Sequence, residues 1–187
     1  MNEEIKKAIK VMAQGGVILY PTDTIWGIGC DATNEEAVAA VYKIKKRIDS
    51  KALICLVDNA VKIDFYVDAP PEIAFDLIEA SDKPLTIIYD HARNLAPNLL
   101  AEDGSIAIRV TNEEVSHQLC SQFRKAIVST SANVSGEPSP QCFDEISEEI
   151  REAVDYILPL RQDERQKNKP SSIIKVGTGG VVKVIRP

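Results

Sequence analysis

Residues 127–138 read IVSTSANVSGEP and place a short apolar strand directly before a loop that is rich in hydroxyl groups. Residues 129–136 carry four hydroxyl side chains, one amide and one glycine. Neutral donors and acceptors of this kind can hydrogen-bond a sugar, a base or a carboxylate. A serine-rich turn that binds nothing has the same composition, so this stretch alone leaves both interpretations open.

The same arrangement occurs near the start of the chain. Residues 17–20 (VILY) predict a strand, and residues 21–29 (PTDTIWGIG) follow it with hydroxyl groups and glycines. In open α/β sheets, ligands bind beyond the carboxyl ends of the strands, which favours a ligand-binding loop here. The alternative is a polar turn around a buried Trp26.

A third candidate is the cationic run at residues 43–47 (KIKKR), which Lys51 follows. Four cations in five residues at the end of a predicted helix could hold phosphate groups. They could equally complement the negative end of the helix dipole in solvent.

Helices and strands are predicted to intermix along the chain. Apolar spacing over residues 5–12 predicts a first helix, and capping-box patterns at Thr33 and Thr111 predict the starts of two more. Helices are also predicted after Pro70 and over residues 146–154. Strands are predicted over residues 17–20, 53–57, 85–89, 106–110, 127–129, 173–176 and 181–185. This mixture predicts a single α/β (α+β) domain over residues 1–187, in which helices cover a mixed sheet.

Composition narrows the function classes. The net charge of −6 argues against a chain that binds nucleic acid tightly over its whole surface, although it leaves room for a local basic cleft. The four cysteines lie far apart, and only His91 and His117 could join them, so we expect reduced thiols and no metal bound by the protein. The charged start and the lack of a long apolar run predict a cytoplasmic protein.

Several motifs of known chemistry are missing from the sequence. It has no Walker-type phosphate loop, no dinucleotide-binding glycine motif and no nucleophile elbow. An enzyme of this sequence would therefore work by positioning and charge neutralisation, without a dedicated catalytic side chain. The polar residues 161–170 predict a mobile surface loop, which could act as a lid.

Taken together, these segments resemble the YrdC-like family, whose best-known members are threonylcarbamoyl-AMP synthases. The matching elements keep the family's order over nearly the whole chain: residues 21–27 (PTDTIWG), 45–47 (KKR), 83–86 (KPLT), 105–110 (SIAIRV), 130–138 (TSANVSGEP), 170–174 (PSSII) and 184–187 (VIRP). The resemblance implies a twisted mixed sheet flanked by helices, with a basic cavity on one face. It implies a reaction that joins L-threonine, bicarbonate and ATP into threonylcarbamoyl-AMP and pyrophosphate.

The resemblance also implies roles for individual residues. For threonine, the implied contacts are Thr24, Arg109, Ser131 and Ser171. For ATP, they are Lys45, Arg47, Lys51, Ser105, Asn133, Gln141 and Arg186, with Lys45 and Arg47 positioning the phosphates. Mg²⁺ is expected to accompany ATP and to be held mainly by its phosphates. The expected partner is a transferase complex that moves the product onto tRNA.

The chain departs from the family pattern at Ile48, Ala52 and Leu56, where proline, proline and histidine are usual. Two alternatives therefore stay open. One is a diverged relative that binds tRNA or double-stranded RNA in translation. The other is carbamoyl transfer in hydrogenase maturation, which normally uses a longer chain with zinc-finger segments.

Overall fold

A computed structural model describes residues 1–46, 53–165 and 167–187, and within them the chain forms a mixed sheet with helices around it. The strands are β1 (Ile18–Tyr20), β2 (Gly27–Gly29), β3 (Ile54–Val57), β4 (Leu85–Tyr89), β5 (Ile106–Val110), β6 (Ile127–Ser131), β7 (Tyr156–Ile157), β8 (Ser172–Val176) and β9 (Val182–Arg186). The helices are α1 (Asn2–Ala13), α2 (Glu35–Ile44), α3 (Ile63–Tyr66), α4 (Glu72–Ala80), α5 (Glu114–Phe123) and α6 (Glu148–Ala153). Short 3₁₀ turns occupy Ala60–Lys62, Pro97–Leu99 and Phe143–Glu145.

The strand order across the sheet is β7-β1-β2-β6-β3-β5-β4-β8-β9. The pairs β1–β7, β3–β5 and β4–β8 are parallel, and the remaining neighbours are antiparallel. This pairing confirms the predicted mixed sheet. The register sets Thr86 of β4 opposite Arg109 on one side and Ile173 on the other. It also sets Gly27 opposite Ser131, so segments that are distant in sequence meet at the same part of the sheet.

Apolar side chains on the two faces of the sheet form two core clusters. Along β1, Ile18 and Tyr20 face the cluster that contains α1 and α5, whereas Leu19 faces the other cluster. Strand β3 alternates in the same way, with Leu56 on the α1–α5 face. Because alternate strand residues point to opposite faces, both faces of the central strands are covered.

The predicted strands are confirmed to within two residues at each end, whereas two short strands were not predicted. Strand β2 reads Gly-Ile-Gly, and glycine disfavours strands in isolation because it has no side chain to pack. Strand β7 has two residues, too few for an alternating pattern. Both belong to the sheet through pairing with β1.

Both predicted capping boxes name the wrong N-cap residue, although the two helices that they predict are present. The N-cap of α2 is Asn34, which accepts a hydrogen bond from the Ala37 amide, because Thr33 is bonded to the Asp31 carboxylate instead. The N-cap of α5 is Glu113, whose carboxylate accepts from two amides of the first turn. Any nearby acceptor can satisfy these amides, so the capping-box pattern locates each helix start only to within one or two residues.

Among the described residues, no helix combines the length and the apolar character that a membrane crossing requires.

Gly29 lies where three strands come close together. A Cβ atom at this position would lie 2.5 Å from the Val128 carbonyl oxygen and 2.5 Å from Tyr20 Cε1. The Tyr20 hydroxyl itself donates a hydrogen bond to the Val128 carbonyl. The position therefore requires the absence of a side chain, and the glycine allows β1, β2 and β6 to pack at this distance.

We expect Gly29→Ala to lower the free energy of unfolding by roughly 2 kcal/mol or more, because the methyl group would push two strands apart. Urea denaturation measures the difference. The control is Gly177→Ala, where the added Cβ would find its nearest neighbour at 3.7 Å. That variant should stay within about 0.5 kcal/mol of the wild type, and equal losses at the two glycines would contradict the packing argument.

Candidate functional site

A cavity of about 360 Å³ lies between the loop after β1, strand β5, the end of β6 and the β8–β9 hairpin. Six of the residues to which the sequence assigned ligand contacts line it: Thr24, Ser105, Arg109, Ser131, Ser171 and Arg186. Among the described residues that line the cavity, the two arginines are the only charged ones, and the rest are apolar or carry neutral hydroxyl groups. The cavity therefore favours an anionic ligand that also has neutral hydrogen-bonding groups.

Arg109 is the deepest of these charges, with 4% of its surface exposed. Its Nη2 lies 2.9 Å from Asp23 Oδ1 and donates a hydrogen bond to Thr24 Oγ1 at 3.3 Å. Burial raises the pKa of Asp23, the Arg109 charge opposes that rise, and the Glu113 carboxylate adds to it. Arg109 Nε and Asp23 Oδ1 are both buried without a hydrogen-bond partner among the described residues, so the 2.9 Å contact between Arg109 and Asp23 is an ion pair and not a hydrogen bond. Arg109 is nevertheless one of the residues that line the cavity.

Thr24 is held in place by its own loop. The Thr22 hydroxyl donates to the Ile25 carbonyl and accepts from the Thr24 amide, and the two threonine hydroxyls lie 3.0 Å apart. These contacts fold residues 22–25 into a tight turn at the end of β1. The turn presents Thr24 to the cavity beside Arg109.

Arg186 reaches the cavity from the other side. Its Nε and Nη2 donate to the Ser171 carbonyl at 2.9 and 2.7 Å. The Ser171 hydroxyl lies 2.7 Å from the Thr86 hydroxyl. Burial lowers the pKa of Arg186, and the Arg109 charge lowers it further. The two guanidinium groups line one cavity, and an anion between them would offset their repulsion.

The hydroxyl hydrogen of Ser105 is already used in a hydrogen bond. Ser105 Oγ donates to Asp103 Oδ1 at 2.5 Å, and the Ser105 amide donates to the same oxygen at 3.0 Å. These two hydrogen bonds, with a smaller effect of Lys175, lower the pKa of Asp103 to about 2. The Ser105 oxygen therefore remains mainly as an acceptor toward the cavity, and it suits a ligand group that donates, such as an amine or a hydroxyl.

Lys45 does not line the cavity, and its ammonium binds the loop after β6 instead. Its Nζ donates to the carbonyl oxygens of Ser131 and Asn133 at 2.7 and 2.8 Å, and the Ser135 amide donates back to the Lys45 carbonyl. The Asn133 amide group in turn donates to the carbonyls of Val134 and Glu137. Both side chains thus fix the shape of the loop that presents Ser131.

The remaining predicted residues are distributed as follows. Gln141 borders a small separate cleft and does not line the main cavity. Leu56 is fully buried in the α1–α5 core, so its side chain does not reach the cavity. Arg47, Ile48, Lys51 and Ala52 lie outside the described residues.

Sequence reasoning missed two carboxylates that hold the lining residues. Asp23 and Asp103 contact Arg109 and Ser105 respectively. Asp103 stands two residues before Ser105, a spacing that is typical of an Asx turn, so that signal was present. Asp23 and Arg109 are far apart in the sequence, and their pairing became visible only in the fold.

The segment after β7 is tied to the first loop at its beginning. Arg161 donates to the Thr22 carbonyl and forms an ion pair with Glu113. Pro170, at the other end of residues 161–170, lines the cavity. Whether this segment closes over a ligand stays a prediction. Across the described part of the chain, no group of three or more histidine, cysteine or acidic side chains could hold a metal ion.

Comparison with known sequences gives consistent matches. The family model Sua5–YciO–YrdC, described as "Telomere recombination", matches residues 10–187. The threonylcarbamoyl-AMP synthase of Pseudoalteromonas translucida is 37% identical over 157 residues, which cover 82% of this chain and 84% of the relative. The threonylcarbamoyl-AMP synthase of Pseudomonas fluorescens is 33% identical over 184 residues, which cover 98% and 96%.

Solved structures resemble the fold closely. P. abyssi Sua5 complexed with L-threonine matches with a TM-score of 0.87 at 23% identity, over 98% of this chain and 53% of that chain. E. coli YciO matches with a TM-score of 0.85 at 22% identity, over 100% and 89%. The chain thus spans about half the length of the P. abyssi protein. These likenesses establish the fold, including its twisted mixed sheet.

The Lys45 contacts generate a prediction for the loop at residues 131–138. In Lys45→Met the two carbonyl oxygens lose a charged donor, so the free energy of unfolding should fall by about 2 kcal/mol. In this variant, the amide hydrogens of that loop should exchange faster than in the wild type, and the increase should be larger there than in the rest of the chain. The matched control is Lys46→Met, because Lys46 is an exposed neighbour whose ion pair with Glu149 lies at the surface. Faster loop exchange in both variants, or in neither, would contradict the assigned role.

Proposed function

Because the chain belongs to the Sua5–YciO–YrdC family, we propose that it is an L-threonylcarbamoyladenylate synthase, a nucleotidyltransferase that makes threonylcarbamoyl-AMP and pyrophosphate from L-threonine, bicarbonate and ATP. The observation that supports this most is the convergence of Arg109 and Arg186 on one cavity whose other described lining residues are uncharged. The curated relatives described above carry the name of this activity. The cavity volume is also within the range of small-molecule sites.

Threonine would bind at the Arg109 end of the cavity. A guanidinium group is suited to a carboxylate, and Arg109 is one of the two charged residues among the described residues that line the cavity. The hydroxyl groups of Thr24, Ser131 and Ser171 line the same space and would contact the remaining polar groups of the amino acid. Neutral contacts of this kind can distinguish threonine from an amino acid without a hydroxyl group.

ATP would enter as its magnesium complex, with Mg²⁺ held mainly by the phosphates. Arg186 would neutralise phosphate charge, and the resemblance assigns the same task to Arg47 and Lys51. Lys45, to which the resemblance gives this task as well, would first have to leave the carbonyl oxygens of Ser131 and Asn133. The acceptor oxygen of Ser105 would take a hydrogen bond from the nucleoside. Asn133 and Gln141 would act on the nucleotide after local rearrangement. The Asn133 side chain is bonded within its own loop, and Gln141 lines the separate small cleft.

The chemistry needs positioning more than a dedicated base. The threonine nitrogen attacks the carbon of bicarbonate, and loss of water leaves a carbamate. A carbamate oxygen then attacks the α-phosphorus of ATP, the bond between the α-phosphorus and the bridging oxygen breaks, and pyrophosphate leaves with the electron pair. Arginine side chains fixed beforehand can hold the carboxylate and stabilise the charge that develops on the phosphates.

The product is a reactive mixed anhydride, so we propose that a partner receives it directly. That partner would be the transferase complex that places the threonylcarbamoyl group on tRNA in the cytoplasm. The acidic net charge of −6 makes tRNA a less fitting direct ligand for this chain than the nucleotide and amino acid.

We expect the purified protein to release pyrophosphate from MgATP only when both threonine and bicarbonate are present, and to form threonylcarbamoyl-AMP in equal amount. Labelled threonine with chromatographic separation detects the product. Release without threonine, or RNA binding with no ATP binding, would contradict the proposal.

Arg109→Met should lower the rate of product formation by about 100-fold or more, because it removes the charged contact to the carboxylate. The control is Arg93→Met, since Arg93 is exposed and its ion pair with Asp68 lies outside the cavity. A similar loss in both variants would indicate a general effect on folding.

A further inference from the structure

Asp23 contacts Arg109, the residue that would bind the substrate carboxylate, yet Asp23 itself does not line the cavity. It borders a second hollow of about 440 Å³, which it shares with Glu113 and Arg161. Arg109 and Thr24, by contrast, line the cavity itself. Asp23 therefore approaches Arg109 from behind, on the side away from the ligand space.

This placement gives the buried Arg109 charge a counter-charge that belongs to the protein. A buried guanidinium without a counter-charge would lose its hydration without compensation, and it would tend to move toward solvent. The Asp23 carboxylate, 2.9 Å from Arg109 Nη2, supplies the counter-charge before any ligand arrives. The Thr24 hydroxyl accepts from the same nitrogen, so two neighbouring residues of one turn hold one end of the guanidinium.

Both contacts are made by Nη2, and Arg109 still lines the cavity. A guanidinium that the protein already holds at one end is preorganised, because a ligand gains its interactions without ordering the side chain first.

We propose that Asp23 is a positioning residue that fixes the guanidinium of Arg109 at the cavity wall and thereby sets the affinity for the carboxylate-bearing substrate. The identity of that substrate, L-threonine, rests on the proposed function. Asp23 acts through Arg109 and does not touch the ligand. Its loss should therefore weaken the binding of threonine and leave the binding of ATP nearly unchanged.

The test compares Asp23→Asn with the wild type by calorimetric titration of threonine and of MgATP separately. Removal of the charge should raise the dissociation constant of threonine by about 10-fold to 100-fold, because a displaced Arg109 would lose its charge-assisted contact with the threonine carboxylate. The constant for MgATP should change by less than about twofold. Asp23→Glu should recover most of the threonine affinity, because it keeps the carboxylate and the hollow behind it has room for one more methylene group.

Asp31→Asn is the matched control. Asp31 is also a buried carboxylate in an ion pair, with Lys125 at 2.7 Å, but it lies away from the cavity. This variant should lose stability and keep both affinities. If Asp23→Asn weakened threonine and ATP equally, or weakened neither, the positioning role would be wrong.

A second measurement separates this inference from the proposed function. The side-chain Nε–H resonance of Arg109, assigned by its loss in Arg109→Lys, should exchange slowly with water in the wild type and rapidly in Asp23→Asn. A wild type that binds no threonine would overturn the proposed function alone, and the exchange rate would still decide whether Asp23 fixes Arg109. Equal exchange rates in the wild type and in Asp23→Asn would overturn the inference.

Discussion

A buried arginine needs a counter-charge, and the arrangement of this site follows from that requirement. Arg109 lies in a central strand with almost no contact with solvent, and leaving such a charge unpaired would cost roughly 3–5 kcal/mol. Asp23 is the acidic side chain that meets it. The loop after β1 must therefore pack over the end of β5. Once it does so, Thr24 lies at the cavity wall and the chain returns through β2.

The return through β2 depends on small residues. Gly27 pairs with Ser131 and Gly29 lies against Tyr20 and Val128, which lets β2 fit between β1 and β6. That fit brings both hydroxyl-rich loops to the same edge of the sheet. The cavity thus results from strand pairing, and part of its polar wall comes from two loops that are about a hundred residues apart in sequence.

Sequence reasoning captured the long elements and much of the cavity wall, for reasons that the structure explains. Strands β4 and β5 each contain three β-branched residues among their five, and the ordered motifs brought Thr24, Arg109 and Ser171 into one hypothesis. Sequence patterns failed in two ways. Thr33 is a residue type that favours the N-cap, yet its neighbour Asp31 binds it and Asn34 takes the role, so residue type alone could not choose among adjacent candidates. The Asp23–Arg109 pair joins residues that are far apart in the sequence and has no local signature.

Lys45 shows why a run of cations is weak support for a phosphate site. A charge run records how many positive groups a segment carries, but the backbone decides where each one points. Lys45 is buried because three carbonyl and amide oxygens of the 131–133 segment lie within reach, and a loop with that many inward carbonyls requires a donor. Among the described residues, the charges that line the cavity are Arg109 and Arg186, which belong to no run. Lys45 therefore shapes the site through the carbonyl oxygens that it binds, whereas Arg109 and Arg186 line it.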